Sequence, residues 1–197
     1  QWVKNDTANQ WEYTFAVANL PEGASFKAYE DQVSDYTGDA VGSQNANTAT
    51  EIGFNEYTNT HQYEVVITNT RKNGTLSFSK TDQYGFPVEG ASFRLYNDAD
   101  CTQPPAAVYT ATSDSTGTVT FSDVPCGMYY MKETNIPTYG EGSIPYIDNR
   151  RQVYQVVIHE NSEDSTITPG TVANHVFTPS DNTVSAIINT KPEGQVT

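Results

Sequence analysis

The sequence predicts an all-β protein built from tandem β-sandwiches, and three features of the chain support that class. The composition is rich in Thr, Ser, Asn, Tyr, Val and Gly and poor in Leu and Lys, which is typical of all-β proteins rather than helical ones. Short segments alternate apolar and polar residues with the period of two that strands have. Turn residues separate these segments at short intervals, as they do between the strands of a sandwich.

Residues 1–71 are predicted to form a first domain of short strands. Alternating segments occupy 11–15 and 25–30, and a further strand is expected at 61–70. The intervening stretch, 35–60, is rich in Asn, Thr and Gly and is predicted to be a long polar loop. The polar junction that follows is too short to act as a flexible linker, so a second domain is expected to begin directly after it.

Residues 72–191 are predicted to form a second, complete domain on the same plan. Its expected strands are 76–80, 91–96, 108–112, 118–121, 128–134, 152–158 and 183–189. The segment between Gly140 and Gly170 has the character of an insertion, and no role is assigned to it. Residues 192–197 are expected to be a tail or the start of a further segment.

The two predicted domains form an internal repeat. A Leu-Pro-Glu-Gly turn at 20–23 corresponds to Val-Pro-Cys-Gly at 124–127, and the last strand of each domain ends on an Asn-Thr pair. The first domain lacks a counterpart to the opening strand of the second, because that strand would precede the first residue. We therefore expect the first domain to be N-terminally incomplete and the chain to be part of a longer protein.

Three polar side chains end the apolar faces of predicted strands in the second domain: Lys80, Glu133 and Asn189. Burying an unpaired ammonium costs several kcal/mol, so a lysine on such a face is expected to have partners. We therefore expect these three side chains to meet. Glu30 and Asn69 occupy the corresponding positions of the first domain and predict an incomplete second site there.

The charge and the remaining side chains argue against several function classes. A formal net charge of −14 argues against nucleic acid and anionic membrane surfaces as partners. No apolar run approaches the roughly 18 residues of a membrane span. No cofactor or metal site is predicted, because His61, His159 and His175 lie far apart in the sequence. Four aspartates also lack the ligand spacing of a calcium loop: Asp98, Asp100, Asp114 and Asp123.

The sequence contains two cysteines, Cys101 and Cys126. They are too few for a disulfide scaffold and do not have the spacing of a CxxC metal site. A single structural disulfide between them is predicted. The alternative is a pair of unlinked thiols, as in an intracellular protein.

Taken together, these residues resemble the collagen-adhesin B-type (Cna B-type) and related pilin-type domains of Gram-positive surface proteins. The matching segments are 76–82, 87–95, 117–121, 124–134 and 187–190, so the resemblance covers nearly all of 74–191 and, more loosely, 9–70. It implies a transthyretin-like, immunoglobulin-like β-sandwich for each domain. It also implies a secreted protein on the bacterial cell wall surface.

The resemblance further implies a spontaneous isopeptide bond in the second domain, with Lys80 as nucleophile, Asn189 as electrophile and Glu133 as catalyst. Burial favours the neutral amine and the neutral acid. The amine can then attack the carboxamide carbon while the acid hydrogen-bonds the carboxamide oxygen and shuttles protons, and ammonia leaves. The alternative is a buried Lys80–Glu133 salt bridge with Asn189 as a hydrogen-bonded neighbour.

The expected function is structural: a stalk or backbone segment of a cell-wall-anchored adhesin or pilus. Its partners would be neighbouring domains of the same surface protein or pilus subunits. The alternative is a ligand-binding adhesin module that presents residues 35–60 and 141–175 to a host matrix protein or glycan. An enzyme acting on an external substrate is not expected, because no motif supports one and the only chemistry predicted is self-crosslinking.

Overall fold

The computed structural model describes residues 34–37, 69–140 and 143–193 with their side chains, and before residue 69 it otherwise describes only the backbone of strands. The chain divides into two compact units, Gln1–Thr70 and Arg71–Thr197. Both are built from β-strands, which confirms the all-β class. The only helix among the described residues is one 3₁₀ turn at Ser162–Asp164. That part of the chain therefore has no helix long and apolar enough to cross a membrane.

The first unit contains seven described strands in three small sheets. They are β1 (Val3–Asn5), β2 (Gln10–Glu12), β3 (Phe26–Tyr29), β4 (Tyr36–Gly42), β5 (Asn47–Thr48), β6 (Glu51–Phe54) and β7 (Val65–Arg71). β1 pairs with β2, β6 lies between β3 and β5, and β4 pairs with β7. The polar loop predicted at 35–60 is therefore wrong, because β4, β5 and β6 lie within it. Strand formation depends on cross-strand pairing as well as residue type, so a polar composition does not exclude it.

The second unit is a sandwich of a six-stranded and a three-stranded sheet. Its strands are β8 (Asn73–Asp82), β9 (Ser92–Tyr96), β10 (Thr110–Thr112), β11 (Thr118–Pro125), β12 (Gly127–Asn135), β13 (Thr138–Tyr139), β14 (Ile144–Pro145), β15 (Val153–Ile158), β16 (Thr166–Ala173), β17 (Val176–Pro179) and β18 (Ala186–Asn189). The larger sheet has the order β10-β9-β12-β15-β16-β17, and the smaller one β11-β8-β18. β13 and β14 form a separate hairpin.

The core of this unit lies between the two sheets. The smaller sheet contributes Leu76, Phe78, Val119, Phe121 and Ile187, and the larger one contributes Phe93, Leu95, Tyr129, Met131, Val156, Ile158 and Ile167. The Phe78 and Phe93 rings meet edge to face across the sandwich, with centroids 5.1 Å apart. This arrangement confirms the β-sandwich and closes both faces of the core to water.

Two strands that the sequence did not predict, β16 and β17, extend the larger sheet. β16 contains Pro169 and Gly170, which normally weaken a strand. Here they lie towards the edge of the sheet, where the glycine leaves room for a neighbouring ring. A Cβ atom on Gly170 would come within 2.3 Å of the Phe177 ring. The Phe177 ring in turn packs against Tyr130 at a centroid distance of 5.4 Å.

Candidate functional site

Lys80 lies on the central strand of the smaller sheet and points into the core. Its neighbours on the same face of β8, Leu76 and Phe78, are apolar, and the lysine side chain is fully buried. Its Nζ atom donates a hydrogen bond to the Ile187 carbonyl at 3.2 Å and lies 6.0 Å from the centroid of the Phe93 ring. The backbone is fixed as well, since Lys80 N donates to Gly117 O at 2.6 Å.

Glu133 faces Lys80 from the larger sheet. It is 2% exposed and lies on β12, directly before a register shift in the pairing with β9. Its Oε2 atom is 3.9 Å from Lys80 Nζ, which is too long for a hydrogen bond. Among the described residues this buried oxygen has no hydrogen-bond partner. The carboxyl group therefore approaches the amine without forming a close ion pair with it.

Asn189 completes the predicted group. β18 runs parallel to β8, with Ile187 opposite Lys80 and Asn189 opposite Asp82, so the side chains of all four residues lie on the inner face. Asn189 is fully buried, and its Nδ2 donates to Glu133 Oε1 at 2.9 Å. The structure thus brings together the three side chains that the sequence analysis selected.

The contact between Glu133 and Asn189 differs from the expected one. We expected the acid to hydrogen-bond the carboxamide oxygen, but Glu133 accepts from the carboxamide nitrogen. The oxygen is held instead by Asn149, whose Nδ2 donates to Asn189 Oδ1 at 2.7 Å and to the Ile188 carbonyl at 3.2 Å. Asn149 belongs to the 140–170 segment, for which the sequence suggested no role.

Burial shifts the protonation of the pair towards neutral forms. Desolvation lowers the pKa of Lys80 to about 8, although the charge of Glu133 opposes the shift. Desolvation likewise raises the pKa of Glu133 above its ordinary value, against the opposing effects of Lys80 and the Asn189 hydrogen bond. Burial, with a smaller contribution from the Glu133 charge, raises the pKa of nearby Tyr154 to about 12. The surroundings therefore increase the share of Lys80 in the neutral amine form, which is the nucleophilic form.

A second lysine–carboxylate pair joins β8 to the residue that lies two positions beyond the end of β18. Lys191, two residues after Asn189, lies 2.5 Å from Asp82 Oδ2. The Asp82 side chain is fully buried, and that of Lys191 is 27% exposed. Asp82 Oδ1 also accepts the backbone N–H groups of Tyr84 and Phe86, each at 2.9 Å.

Aromatic rings surround the ammonium group of this second pair. Lys191 Nζ lies 5.1 Å from the Tyr139 ring centroid, 5.9 Å from Phe86 and 6.0 Å from Tyr84. Burial alone would raise the pKa of Asp82, but hydrogen bonds from Lys191, Phe86 and Tyr84 lower it below its ordinary value. The hydrogen bond to Asp82 raises the pKa of Lys191. Both groups are therefore held in their charged forms.

The incomplete second site remains a prediction. Glu30 lies outside the described residues, and Asn69 is exposed near the end of β7. Of the histidines, His61 also lies outside the described part. His175 is exposed and paired with Asp100, and the hydrogen bond to Asp100 raises the pKa of the imidazole. Across residues 69–140 and 143–193, no three His, Cys, Asp or Glu side chains cluster in a way that could hold a metal ion.

The predicted disulfide is not present between the two cysteines, both of which lie in the described part of the chain. Cys101 packs with Tyr96 and Val153, in a cluster separate from the main core. It is placed there by a turn in which the Asp98 carboxylate accepts backbone N–H groups from the residues that follow Cys101. Burial raises the pKa of the Cys101 thiol to about 11. Cys126 is buried at the β11–β12 junction, where its N–H bonds to Lys72 O.

Sequence reasoning missed Asn149, Asp82 and Lys191 as parts of this region. For Asp82 the sequence did contain a signal, because this residue lies two positions after Lys80 and so continues the inward face of β8. The structure shows that it is buried. Lys191 offered a weaker signal, as the basic residue after the Asn-Thr pair. Asn149 offered none, since it lies in a polar stretch and reaches Asn189 across 40 residues of sequence.

The chain is similar to known proteins in its second unit. Residues 74–171 match the family model described as the SpaA prealbumin-like fold domain. No curated protein sequence matches the chain.

Solved structures with a similar fold include three from pilus proteins. The major pilin subunit BcpA of Bacillus cereus is 24% identical over 64% of this chain and 35% of its own, with a TM-score of 0.42. The full-length major pilin RrgB from Streptococcus pneumoniae is 12% identical over 83% of this chain and 38% of its own, with a TM-score of 0.38. A C-terminal fragment of the pilus adhesin SpaC from Lactobacillus rhamnosus GG is 18% identical over 79% of this chain and 59% of its own, with a TM-score of 0.39. The chain thus spans about a third of the length of BcpA.

Proposed function

We propose that the chain is a structural stalk segment of a Gram-positive pilus or cell-wall adhesin. The match of residues 74–171 to the family model described as the SpaA prealbumin-like fold domain supports this proposal. The partners of the chain would be neighbouring domains or subunits of the same fibre, on the outer surface of the cell. The second unit would be hardened by an isopeptide bond between Lys80 and Asn189. Glu133 would catalyse the formation of that bond, and no external substrate is involved.

The observation that carries this proposal is that one buried carboxyl group lies between a buried amine and a buried carboxamide. Lys80 Nζ lies 3.9 Å from one oxygen of Glu133, and Asn189 Nδ2 donates to the other at 2.9 Å. A structural ion pair would bring the first distance within hydrogen-bonding range and satisfy both carboxylate oxygens. Here the carboxyl group instead bridges the nucleophile and the leaving group.

The chemistry follows from this bridging position. The reaction starts from the neutral amine of Lys80 and the ionised carboxylate of Glu133. The lone pair of Lys80 Nζ forms a bond to Asn189 Cγ, and Oε2 of the Glu133 carboxylate takes the proton that Nζ loses. Oε1 faces Asn189 Nδ2, so the carboxyl group can deliver a proton there as the Cγ–Nδ2 bond breaks and ammonia leaves. Folding supplies the proximity, which removes the need for a separate enzyme.

The position of the bond suits a load-bearing domain. Lys80 lies on the first strand of the second unit and Asn189 on its last, and those two strands are paired. A covalent link there would join the entry and exit strands directly. It would also close a loop of roughly 110 residues, which the chain-entropy view values at about 4–5 kcal/mol.

Intact mass tests the proposal. The full chain should be about 17 Da lighter than its sequence mass, because one ammonia is lost per bond. Glu133→Ala should restore the full mass, whereas Glu163→Ala, at an exposed glutamate of the 3₁₀ turn, should leave the deficit intact. Tandem mass spectrometry should find a branched peptide that joins Lys80 to Asn189. A wild-type chain at full mass would show that the bond does not form.

A further inference from the structure

The carboxamide oxygen of Asn189 is held by a side chain from outside the predicted triad. Asn149 Nδ2 lies 2.7 Å from Asn189 Oδ1 and 3.2 Å from the backbone carbonyl of Ile188. A backbone carbonyl can only accept hydrogen bonds, so the NH₂ group of Asn149 must face it. The same NH₂ group must then meet the oxygen of Asn189 rather than its nitrogen.

This contact also fixes which end of Asn189 faces Glu133. With its oxygen directed to Asn149, Asn189 presents its nitrogen to Glu133 Oε1 at 2.9 Å. The Ile188 carbonyl therefore orients the carboxamide of Asn149, which in turn orients the carboxamide of Asn189. In the Asn189 carboxamide, the nitrogen that would leave therefore contacts the Glu133 carboxyl group, and the oxygen contacts the neutral Asn149 donor.

We propose that Asn149 is the fourth member of the site, the donor that stabilises the negative charge on Asn189 Oδ1 while the isopeptide bond forms. This inference rests on the proposed bond between Lys80 and Asn189. When Nζ adds to Cγ, the carbonyl π electrons move onto Oδ1, and they return when the Cγ–Nδ2 bond breaks and ammonia leaves. The charge on this oxygen is largest between those two steps, so a donor placed there stabilises the transition state more than the starting amide.

The segment that carries Asn149 is anchored on both sides. Before it, the Ile147 N–H bonds to Thr190 O at 2.8 Å, and Tyr146 is buried against Tyr139 with ring centroids 4.9 Å apart. After it, Gln152 N–H bonds to the Asn149 carbonyl at 2.8 Å. A donor held in this way needs little reorganisation during the reaction, which is the condition for effective oxyanion stabilisation.

The neutrality of Asn149 matters for the neighbouring pair. A cation at this position would also stabilise the oxyanion, but its charge would shift the pKa values of both Lys80 and Glu133. A carboxamide donates its hydrogen bond without adding a charge. Asn149 therefore stabilises the charge that develops on Asn189 without changing the protonation states of Lys80 and Glu133.

The rate of crosslinking tests the role of Asn149. The full chain is isolated from inclusion bodies in denaturant, and its full mass at the start confirms that no bond has formed. It is then diluted to fold, samples are quenched in acid at intervals, and the fraction that has lost about 17 Da is measured by intact mass. Asn149→Ala removes the donor, and Asn149→Asp keeps the size of the side chain but replaces the NH₂ group with an oxygen. Both should slow ammonia loss by roughly 100-fold or more, the usual effect of removing one oxyanion donor. Asn182→Ala, at an exposed asparagine of the same unit, is the matched control and should react like the wild type.

Both tryptophans, Trp2 and Trp11, lie in the first unit. Folding of the second unit is therefore followed in the same dilutions by pulsed proteolysis with mass detection, so that a slow reaction can be separated from slow folding. The proposal requires both Asn149 variants to fold at nearly the wild-type rate and still crosslink slowly. It is overturned if they crosslink within threefold of the wild-type rate, or if crosslinking slows only as much as folding does. If the wild type itself never loses ammonia, the proposed isopeptide bond fails, which is a different result from a wild type that reacts without needing Asn149.

Discussion

Two lysine–carboxylate pairs each include one residue of β8, Lys80 in the first and Asp82 in the second, and their surroundings differ. Lys80 is fully buried, and its Nζ stays 3.9 Å from the nearer oxygen of Glu133. Lys191 is 27% exposed, and its Nζ lies 2.5 Å from Asp82. Burial lowers the pKa of Lys80 to about 8, whereas the hydrogen bond to Asp82 raises the pKa of Lys191.

The difference shows that hydrogen-bond supply, rather than residue type, decides whether the two members of such a pair keep their charges. Asp82 is as buried as Glu133, but it receives two backbone N–H groups and an ammonium group. Those donors replace the water that the carboxylate loses, so the charged form persists. Glu133 receives one donor, from Asn189, and one of its oxygens has no partner among the described residues.

The largest expected effect comes from removing each lysine in turn. Lys80→Met should abolish the ammonia loss and, through the missing crosslink, lower the unfolding free energy by about 4–5 kcal/mol. Lys191→Met should leave the mass deficit unchanged. Intact mass and chemical denaturation measure the two outcomes. Loss of the deficit in the Lys191 variant would show that the two pairs have been assigned the wrong roles.

Removing the second carboxylate should cost stability without affecting the chemistry. Asp82→Ala leaves two backbone N–H groups without their acceptor, which costs about 1–3 kcal/mol. The folded pKa of Asp82 lies below its unfolded value of 3.8. The stabilisation is therefore complete above that value and is lost as the pH falls through the folded pKa. The gap in unfolding free energy between the wild type and Asp82→Ala should close below pH 3.8, and a constant gap would contradict the assignment.

The crosslinking rate should depend on pH through Lys80. The attacking atom needs its lone pair, so the rate should rise by about tenfold per pH unit up to the pKa of about 8 and then level off. Refolding at a series of pH values with acid quenching gives the profile. The Lys191→Met variant should follow the same curve. A profile that is flat between pH 5 and 8 would mean that burial does not control the amine.

The smallest effect should come from the aromatic rings around Lys191. Phe86→Leu removes a ring 5.9 Å from its ammonium group, at a side chain that is 64% exposed. Cation–π contacts at exposed sites contribute little, so the melting temperature should change only slightly and the crosslinking rate not at all. A large drop in either quantity would show that the aromatic cluster supports the buried site. Val108→Ala, at another exposed apolar side chain, serves as the control.

The amino-acid sequence by itself determined the sandwich and the inward faces of its strands. In an extended strand, side chains two residues apart must lie on the same side. The alternation therefore predicted, without knowledge of the fold, that Lys80 shares a face with Phe78 and that Glu133 shares a face with Met131. Both pairs are buried on the inner faces of their strands. The same rule failed where strands carry polar residues, as in β4 and β5, or contain Pro and Gly, as in β16. In those segments the pairing partner defines the strand.

Only the tertiary structure decided which atoms meet at the site. Asn149 reaches Asn189 because the insertion folds back over β18, and no local pattern encodes a contact between side chains 40 residues apart. Cys101 and Cys126 are not linked, and the Asp98 turn directs Cys101 into a cluster separate from the main core. The protonation state of a buried side chain is likewise decided by the tertiary structure. Whether a lysine carries its charge depends on the water and donors left around it, and these are set by packing from distant parts of the chain.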